Sequence, residues 1–372
     1  MLKIGITGQE GFLGKHLYNH LGLNPDLFER INFERTFFQN QTRLDNFVKQ
    51  CDVIVHLAAM NRHDDPNVIY NTNVELVESL LRSLKRTKSI AHVIFSSSSQ
   101  EGNNSLYGAS KLKGREMLTK WANESGGKFT GLIIPNVFGP FGKPFYNSVV
   151  ATFAHQIVIG ESPKIVKDAE LRLIYVQELV KVIIEQIIAP NYDANHLVEH
   201  TALVKVSEIL EILNGFKNDY LKKGTIPKLN DNFELNLFNT FRSYIDLETF
   251  FPVKYMAHQD ERGSFVEIIR LNGGGQVSFS TTQPGVTRGN HFHTRKIERF
   301  SVIKGKALIK LRKIGSNEVL SFELSGDKPS YIDMPIWYSH NIKNIGDDVL
   351  YTNFWINEFY NAEDTDTYFD EV

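Results

Sequence analysis

Short apolar runs and helical patterns alternate through roughly the first 200 residues of the chain. Residues 2–7, 52–57, 92–95 and 131–134 are apolar runs of strand length. Between them, residues 13–21 follow a glycine cluster with helical spacing. Residues 74–81 do the same behind capping-type Asn and Thr. Strands alternating with helices predict an α/β, Rossmann-like, doubly wound parallel sheet. From about residue 253 the texture changes. Short apolar runs at 264–271, 276–282, 300–303, 307–312, 319–324, 331–334 and 349–355 are separated by Gly, Pro, Asn and Asp. Strands at about 8–12-residue spacing predict an antiparallel all-β sandwich or barrel. The polar stretch 215–239 reads as a loop of the first domain, and the break falls between about 244 and 252. The expected domains are therefore 1–245 and 252–372. The acidic run at 363–371 reads as a solvated tail.

Length agrees with two domains, because 372 residues at roughly 150 per domain give two or three. Lys plus Arg is 41 against 43 Asp plus Glu, a net charge of −2, which gives no support for nucleic acid or an anionic membrane as partner. The one cysteine, Cys51, has no mate within the chain, so a reducing, cytoplasmic location is expected. The start of the chain lacks the charged and apolar regions of a signal peptide. No stretch reaches the roughly 18 apolar residues of a membrane helix.

Chemistry enters at the first turn. Gly8, Gly11 and Gly14 stand directly after the first strand and open a helix. Gly8 permits a tight turn, Gly11 lets backbone approach a pyrophosphate, and Gly14 lets helix pack close on strand. The phosphates then sit where helix amides and dipole favour anions. Tyr107 and Lys111 lie one helical turn apart on one face. A free tyrosine titrates at about 10. Lowering that value takes a nearby cation such as Lys111 and the positive charge of an oxidised nicotinamide. A tyrosine so tuned can hand a proton to a carbonyl as hydride arrives. The run Ser96-Ser97-Ser98-Ser99 offers hydroxyls to the same carbonyl. Glu34, 20 residues beyond Gly14, has the spacing of a ribose-binding acid that favours NAD, whereas Arg35 can pair with a 2′-phosphate. NADP(H) is the expected cofactor if the role is reductive.

Together with residues 52–59 (Asp-Val-Ile-Val-His-Leu-Ala-Ala) and 135–140 (Pro-Asn-Val-Phe-Gly-Pro), these segments resemble the extended short-chain dehydrogenase/reductases, which typically act on nucleotide sugars. The resemblance implies Tyr107 as general acid/base and Lys111 on the nicotinamide ribose and on Tyr107. It implies Ser98 as the serine that holds the carbonyl, with Ser97 the close competitor. It places Phe12, Leu13, Leu57 and Ala58 with the glycines around the cofactor. Arg172 resembles the family arginine on the nucleotide diphosphate, and Asn136, Lys143 and Asn147 are further substrate candidates. The arginine often found shortly before Asn-Val-Phe-Gly-Pro is missing, since the segment reads Leu132-Ile133-Ile134-Pro135. Dehydratases of this family carry an acidic pair beside the catalytic serine or threonine. Ser99-Gln100-Glu101 shows none, so a reductase is preferred.

The second region carries His291 and His293 at i and i+2, Glu298 five residues on, and His340 about 40 residues downstream. Alternate residues of a strand share a face. Three imidazoles and one carboxylate suit a divalent transition ion with room for a substrate oxygen. Zinc is the expected ion, because a non-redox Lewis acid suffices. The string from Gly285 to Gly305, with His340 and Asn344, resembles the two-part motif of cupins, although Trp337 stands where that motif usually has glycine. Residues 260–265, which include Arg262, and residues 288–291 resemble cupin-fold epimerases that invert carbons beside a keto group on 4-keto-6-deoxy sugar nucleotides. A metal beside the ketone would acidify the neighbouring C–H, with Tyr338, Tyr351 and His258 as open candidates for moving the proton.

The pairing resembles, over essentially the whole chain, the bifunctional CapF/WbjC-type proteins of capsule and O-antigen synthesis. That resemblance implies a UDP-linked 2-acetamido-2,6-dideoxy-4-hexulose on the route to UDP-N-acetyl-L-fucosamine. The cupin would invert C3 and the reductase would then deliver hydride from NADPH to C4. A homodimer is expected from the pairing habit of cupins. Two other readings stay open: a ketoreductase whose metallocupin only stabilises or dimerises, and a silent NADP-binding sensor.

Overall fold

In the computed structural model, residues 1–261 and 263–372 are described; Arg262 lies outside the described residues. Two compact units divide the chain, Met1–Phe153 with Lys164–Ile209, and Ala154–Pro163 with Leu210–Val372.

The first unit carries β1 (Leu2–Thr7), β2 (Phe28–Ile31), β3 (Val53–His56), β4 (His92–Ser98), β5 (Lys128–Ile134), β6 (Asn136–Phe138), β7 (Glu170–Tyr175), β8 (His196–Leu197) and β9 (Ala202–Lys205). Six strands form one parallel sheet in the order β2-β1-β3-β4-β5-β8. Every residue of β3 and β4 is buried, as a parallel sheet covered on both faces requires. Helices α1 (Phe12–Leu21), α2 (Gln41–Gln50), α3 (Pro66–Thr87) and α4 (Leu106–Ser125) alternate with the strands. Leu17 and Leu21 of α1, with Leu179 and Ile183, cover one face through Ile4, Ile6 and Val55. Phe47, Leu80, Leu84, Leu118 and Trp121 cover the other through Ile54, Val93 and Phe95. The order of connection reverses between β1 and β3, so a crevice opens beyond Thr7 and His56 at the strands' carboxyl ends. β6, β7 and β9 form a separate small sheet.

The second unit is all-β over its C-terminal part: β10 (Val253–Lys254), β11 (Ala257–Asp260), β12 (Gly263–Val266), β13 (Gln276–Thr282), β14 (Thr287–Phe292), β15 (Glu298–Lys304), β16 (Lys306–Lys313), β17 (Val319–Ser325), β18 (Ser330–Met334), β19 (Tyr338–Asn344), β20 (Leu350–Ile356) and β21 (Tyr368–Phe369). Two five-stranded sheets, β10-β18-β15-β20-β13 and β17-β16-β19-β14-β21, build the expected cupin-like barrel, and β11 and β12 make a hairpin of their own.

Three sequence expectations change. Residues 215–239 are not a plain loop: helices occupy Val206–Phe216 and Asn232–Arg242, and Leu237, Phe238 and Phe241 are fully buried. Their helical spacing was hidden by surrounding Asn, Asp and Lys. These residues group with the β-rich unit, where Arg242 donates to the Met334 carbonyl at 3.1 Å and Asn239 to the Arg295 carbonyl at 3.1 Å. The run 264–271 is strand only to Val266. The acidic run is solvated only in part: Glu363, Asp364 and Glu371 are exposed, but Asp366 is only 3% exposed and β21 is paired to β14.

A buried network ties the second unit together. Arg299 donates to Asp333 at 2.7 and 2.9 Å, Tyr220 donates to Asp333 at 2.6 Å, and Arg299 also reaches the Gly224 carbonyl at 2.8 Å. Both charges are almost wholly buried. Asp333→Ala leaves a buried guanidinium unpaired and is expected to cost about 3–5 kcal/mol in urea unfolding. An unchanged midpoint would show that the pair carries no weight.

Candidate functional site

The crevice of the first unit begins with backbone geometry. Gly8 has φ +78°, and a Cβ there would lie 2.9 Å from the Ala58 backbone. A Cβ on Gly14 would lie 2.2 Å from the Gly8 carbonyl oxygen, so α1 can start this close to β1 only with glycine there. Gly11 is the N-cap of α1 and supplies no side-chain cap. The helix therefore opens with bare amides, followed by Phe12 and Leu13, as an anion site needs. Leu57 donates its N–H to the Thr7 carbonyl at 3.1 Å, and Ala58 donates to Thr7 Oγ1 at 3.4 Å, which seats both beside the glycine turn. Glu34 and Arg35 stand exposed beyond β2, with Arg43 4.0 Å from Glu34.

Tyr107 and Lys111 occupy the first turns of α4, whose N-cap Ser105 accepts from Gly108 N–H. Lys111 is 4% exposed, and its Nζ donates to the Ser96 carbonyl at 2.7 Å and lies 5.9 Å from the Tyr107 ring centre. Burial pushes this ammonium down to about 8, opposed by Glu101. Burial also pushes Tyr107 up to about 12, against a hydrogen bond with Ser98 that lowers it. The lowering expected at Tyr107 is thus not met: desolvation outweighs the effect of Ser98, and the phenol stands protonated at neutral pH. Strand alternation separates the serines. Ser98 meets Tyr107, while Ser97 donates to Glu101, which holds Arg115 at 2.6 Å.

Asn136 opens β6 and Arg172 lies on β7; both are exposed, with Asn136 in register with Leu173. Lys143 and Asn147 are exposed on the following segment, and Lys143 Nζ sits 5.5 Å over the Tyr146 ring. Tyr146 also raises the Tyr107 pKa, which brings this segment toward the phenol. Arg62, which the sequence did not single out, pins it by donating to the Phe145 carbonyl at 2.7 Å and the Tyr146 carbonyl at 3.2 Å.

In the second unit, His291, His293, Glu298 and His340 come together, with one ligand atom from each lying within 4.8 Å of the others. His291 and His340 are paired across β14 and β19, where Asn290, at φ +61°, marks an irregularity in register. Glu298 opens β15. His340 Nε2 and His293 Nε2 each lie 3.1 Å from Glu298 Oε2. A tetrahedral ion with bonds of about 2.0–2.2 Å holds neighbouring ligands about 3.3–3.6 Å apart, close to these two separations. The tautomers fit as well. His340 Nδ1 faces the Tyr338 carbonyl at 3.1 Å and His293 Nδ1 the Asp366 carbonyl at 2.5 Å. A carbonyl only accepts, so each Nδ1 carries a proton, which leaves Nε2 as the atom that would ligate an ion. His293 Nε2 is buried without an aligned hydrogen bond of its own. Burial and the neighbouring imidazoles push His291 down to about 4, which keeps it neutral for ligation. Burial alone would raise Glu298, but His293 and His340 hold it well below the usual carboxylate range.

Trp337 adopts φ +62°, the left-handed turn usually given to glycine. It is 2% exposed, stacks on Phe292 at 5.6 Å, and donates its N–H to the His293 carbonyl at 2.8 Å, contacts that hold the strained turn. Of the proton-carrier candidates, His258 is exposed on the β11–β12 hairpin. Tyr351 alternates away from Thr352 and Phe354 to the outer face of β20 and is 39% exposed. Tyr338 begins β19 two residues before His340, and burial raises its pKa.

A parallel sheet with a glycine turn and a Ser–Tyr–Lys set, joined to a β-barrel with a three-imidazole, one-carboxylate cluster, defines a nicotinamide-dependent sugar-modifying type of protein with a metal-ready second unit. Comparison with known proteins agrees. Residues 4–196 match the NAD dependent epimerase/dehydratase family, and residues 258–368 match the polysaccharide biosynthesis C-terminal domain. A Pseudomonas aeruginosa protein named UDP-2-acetamido-2,6-beta-L-arabino-hexul-4-ose reductase is 32% identical over 99% of this chain and 98% of its own. The crystal structure of the capsular polysaccharide assembling protein CapF from Staphylococcus aureus is 34% identical over the whole of both chains, with TM-score 0.63. A P. aeruginosa protein named RMD, solved with NADPH, shares the fold of the first unit (19% identity, 59% of this chain and 83% of that one, TM-score 0.53). The chain belongs to the NAD dependent epimerase/dehydratase family and, within it, to the CapF-type proteins. It is an enzyme that uses a nicotinamide cofactor. Among the described residues, no helix is long and apolar enough to cross a membrane.

Proposed function

We propose that the chain converts a UDP-2-acetamido-2,6-dideoxy-hexos-4-ulose in two steps: inversion at C3 in the second unit, then reduction at C4 by NADPH in the first. The product would be of the UDP-N-acetyl-6-deoxy-L-talosamine type, on the route to UDP-N-acetyl-L-fucosamine. Full-length similarity to a named UDP-4-keto-sugar reductase supports the substrate class. The observation that carries the reading is the buried Lys111, held by the Ser96 carbonyl and 5.9 Å from the Tyr107 ring centre, with Ser98 at the end of the adjoining strand.

In the first unit, Ser98 holds the C4 carbonyl and Tyr107 donates its proton to the carbonyl oxygen. NADPH, when bound, supplies the hydride to C4. Lys111, fixed by the Ser96 carbonyl, offsets the charge left on the Tyr107 oxygen and reaches the ribose. Gly8, Gly11, Phe12, Leu13, Gly14, Leu57 and Ala58 seat the dinucleotide, and Arg35 pairs with the 2′-phosphate. Arg172, Asn136, Lys143 and Asn147 hold the UDP-sugar. In the second unit, His291, His293, Glu298 and His340 hold a divalent ion, zinc in our reading. When bound, that ion supplies Lewis-acid polarisation of the ketone, which acidifies the C3 hydrogen. Tyr338, on the strand that bears His340, is favoured over Tyr351 and His258 for moving that proton. The buried lone Cys51 fits work in a reducing cytoplasm, and two copies are expected to associate as a homodimer.

Incubation with a panel of UDP-4-keto sugars, read by mass spectrometry, tests this. Only a 2-acetamido-2,6-dideoxy-4-keto substrate should gain two hydrogens, with kcat/KM higher for NADPH than for NADH. Turnover confined to a different sugar, or a clear NADH preference, would overturn the corresponding assignment.

A further inference from the structure

We propose that Asp366 is a positioning residue of the metal centre, its main-chain carbonyl fixing the His293 tautomer and its carboxylate clamping the turn between His293 and Glu298. The inference rests on the reading that the three imidazoles and Glu298 hold a divalent ion. Asp366 lies far from the ligands in sequence, inside the acidic run, yet it is 3% exposed with φ +41°. Its carbonyl accepts from His293 Nδ1 at 2.5 Å. Its Oδ1 accepts from Thr294 Oγ1 at 2.6 Å and Thr294 N–H at 3.1 Å. Its Oδ2 accepts the N–H groups of Arg295 and Lys296, each at 3.0 Å. One carboxylate thus gathers three successive amides and leaves that turn a single conformation.

The flanks hold the clamp in place. Lys296 Nζ donates to the Thr365 carbonyl at 2.7 Å. On the other side, Tyr368 pairs with Phe292 and Phe369 with His291. Arg312 then anchors Asp370 at 2.5 Å. Without the carbonyl, the His293 imidazole is free to exchange tautomers and rotate. Without the carboxylate, the turn that spaces His293 from Glu298 loses its common acceptor. Groups that orient metal-ligating histidines in this way are worth roughly 10–100-fold in affinity.

The test is zinc affinity of the full chain, measured by competition with a chromophoric chelator, with melting temperature followed with and without zinc. Asp366→Ala is expected to weaken zinc binding about 10–100-fold and to shrink the zinc-induced rise in melting temperature. A merely structural role would lower both melting temperatures equally and leave the competition curve where it was; that result overturns the inference. Thr294→Val, which removes a single donor to the clamp, serves if Asp366→Ala does not fold. It should weaken zinc binding by a smaller factor, and unchanged affinity again overturns the inference. Failure of the unaltered chain to bind zinc at all would instead defeat the metal reading, and this inference with it.

Discussion

Tyr107→Phe is expected to cut NADPH-dependent reduction by about 10²–10⁴-fold, the usual worth of a positioned general acid, while solvent deuterium still enters C3 of the sugar. Ser98 acts on this phenol, lowering its pKa against the effect of burial. Burial holds it protonated, with a value of about 12, so it arrives at the ketone as a donor. Phenylalanine keeps the ring and its packing beside Lys111 but removes the proton and the partner of Ser98. Binding of NADPH should survive, because the glycine turn and Lys111 are untouched. Stopped-flow loss of NADPH absorbance, run beside NMR of the C3 position, separates the two activities. Reduction at near the original rate would remove Tyr107 from the chemistry.

The converse variant, His291→Ala combined with His293→Ala, should abolish C3 exchange and leave reduction of an already inverted substrate intact. Two of four ligands vanish, including the buried nitrogen whose tautomer is set by Asp366. Changing a single supporting group typically costs 10–100-fold in affinity, so losing two ligands should exceed about 10²-fold. Metal content by atomic emission and deuterium incorporation should fall together. A double variant that still exchanges C3 at the original rate would refute the assignment of inversion to this unit.

Much of this was legible because the relevant residues are close in sequence. The glycine turn, Tyr107 with Lys111, and His291 with His293 and Glu298 each depend on spacings that a strand or helix converts directly into proximity. The choice between Ser97 and Ser98 was not legible, since four identical residues erase register. In space the two hydroxyls differ, since Ser97 donates to Glu101 while Ser98 lies with Tyr107. Residues 215–239 were misread as a loop because polar neighbours masked the helical spacing of Leu237 and Phe238. Asp366 was misread for a different reason. An acidic run looks solvated until the three amides and the imidazole that it satisfies, some 70 residues earlier, are brought to it.

The bond between His293 and the Asp366 carbonyl also imposes an order on the making of the protein. Translation joins all four candidate metal-holding residues to the chain before it adds residue 366. The latch on the His293 imidazole is therefore among the last pieces of the barrel to be made. The strands of the parallel sheet, translated first, depend on no residue made so late.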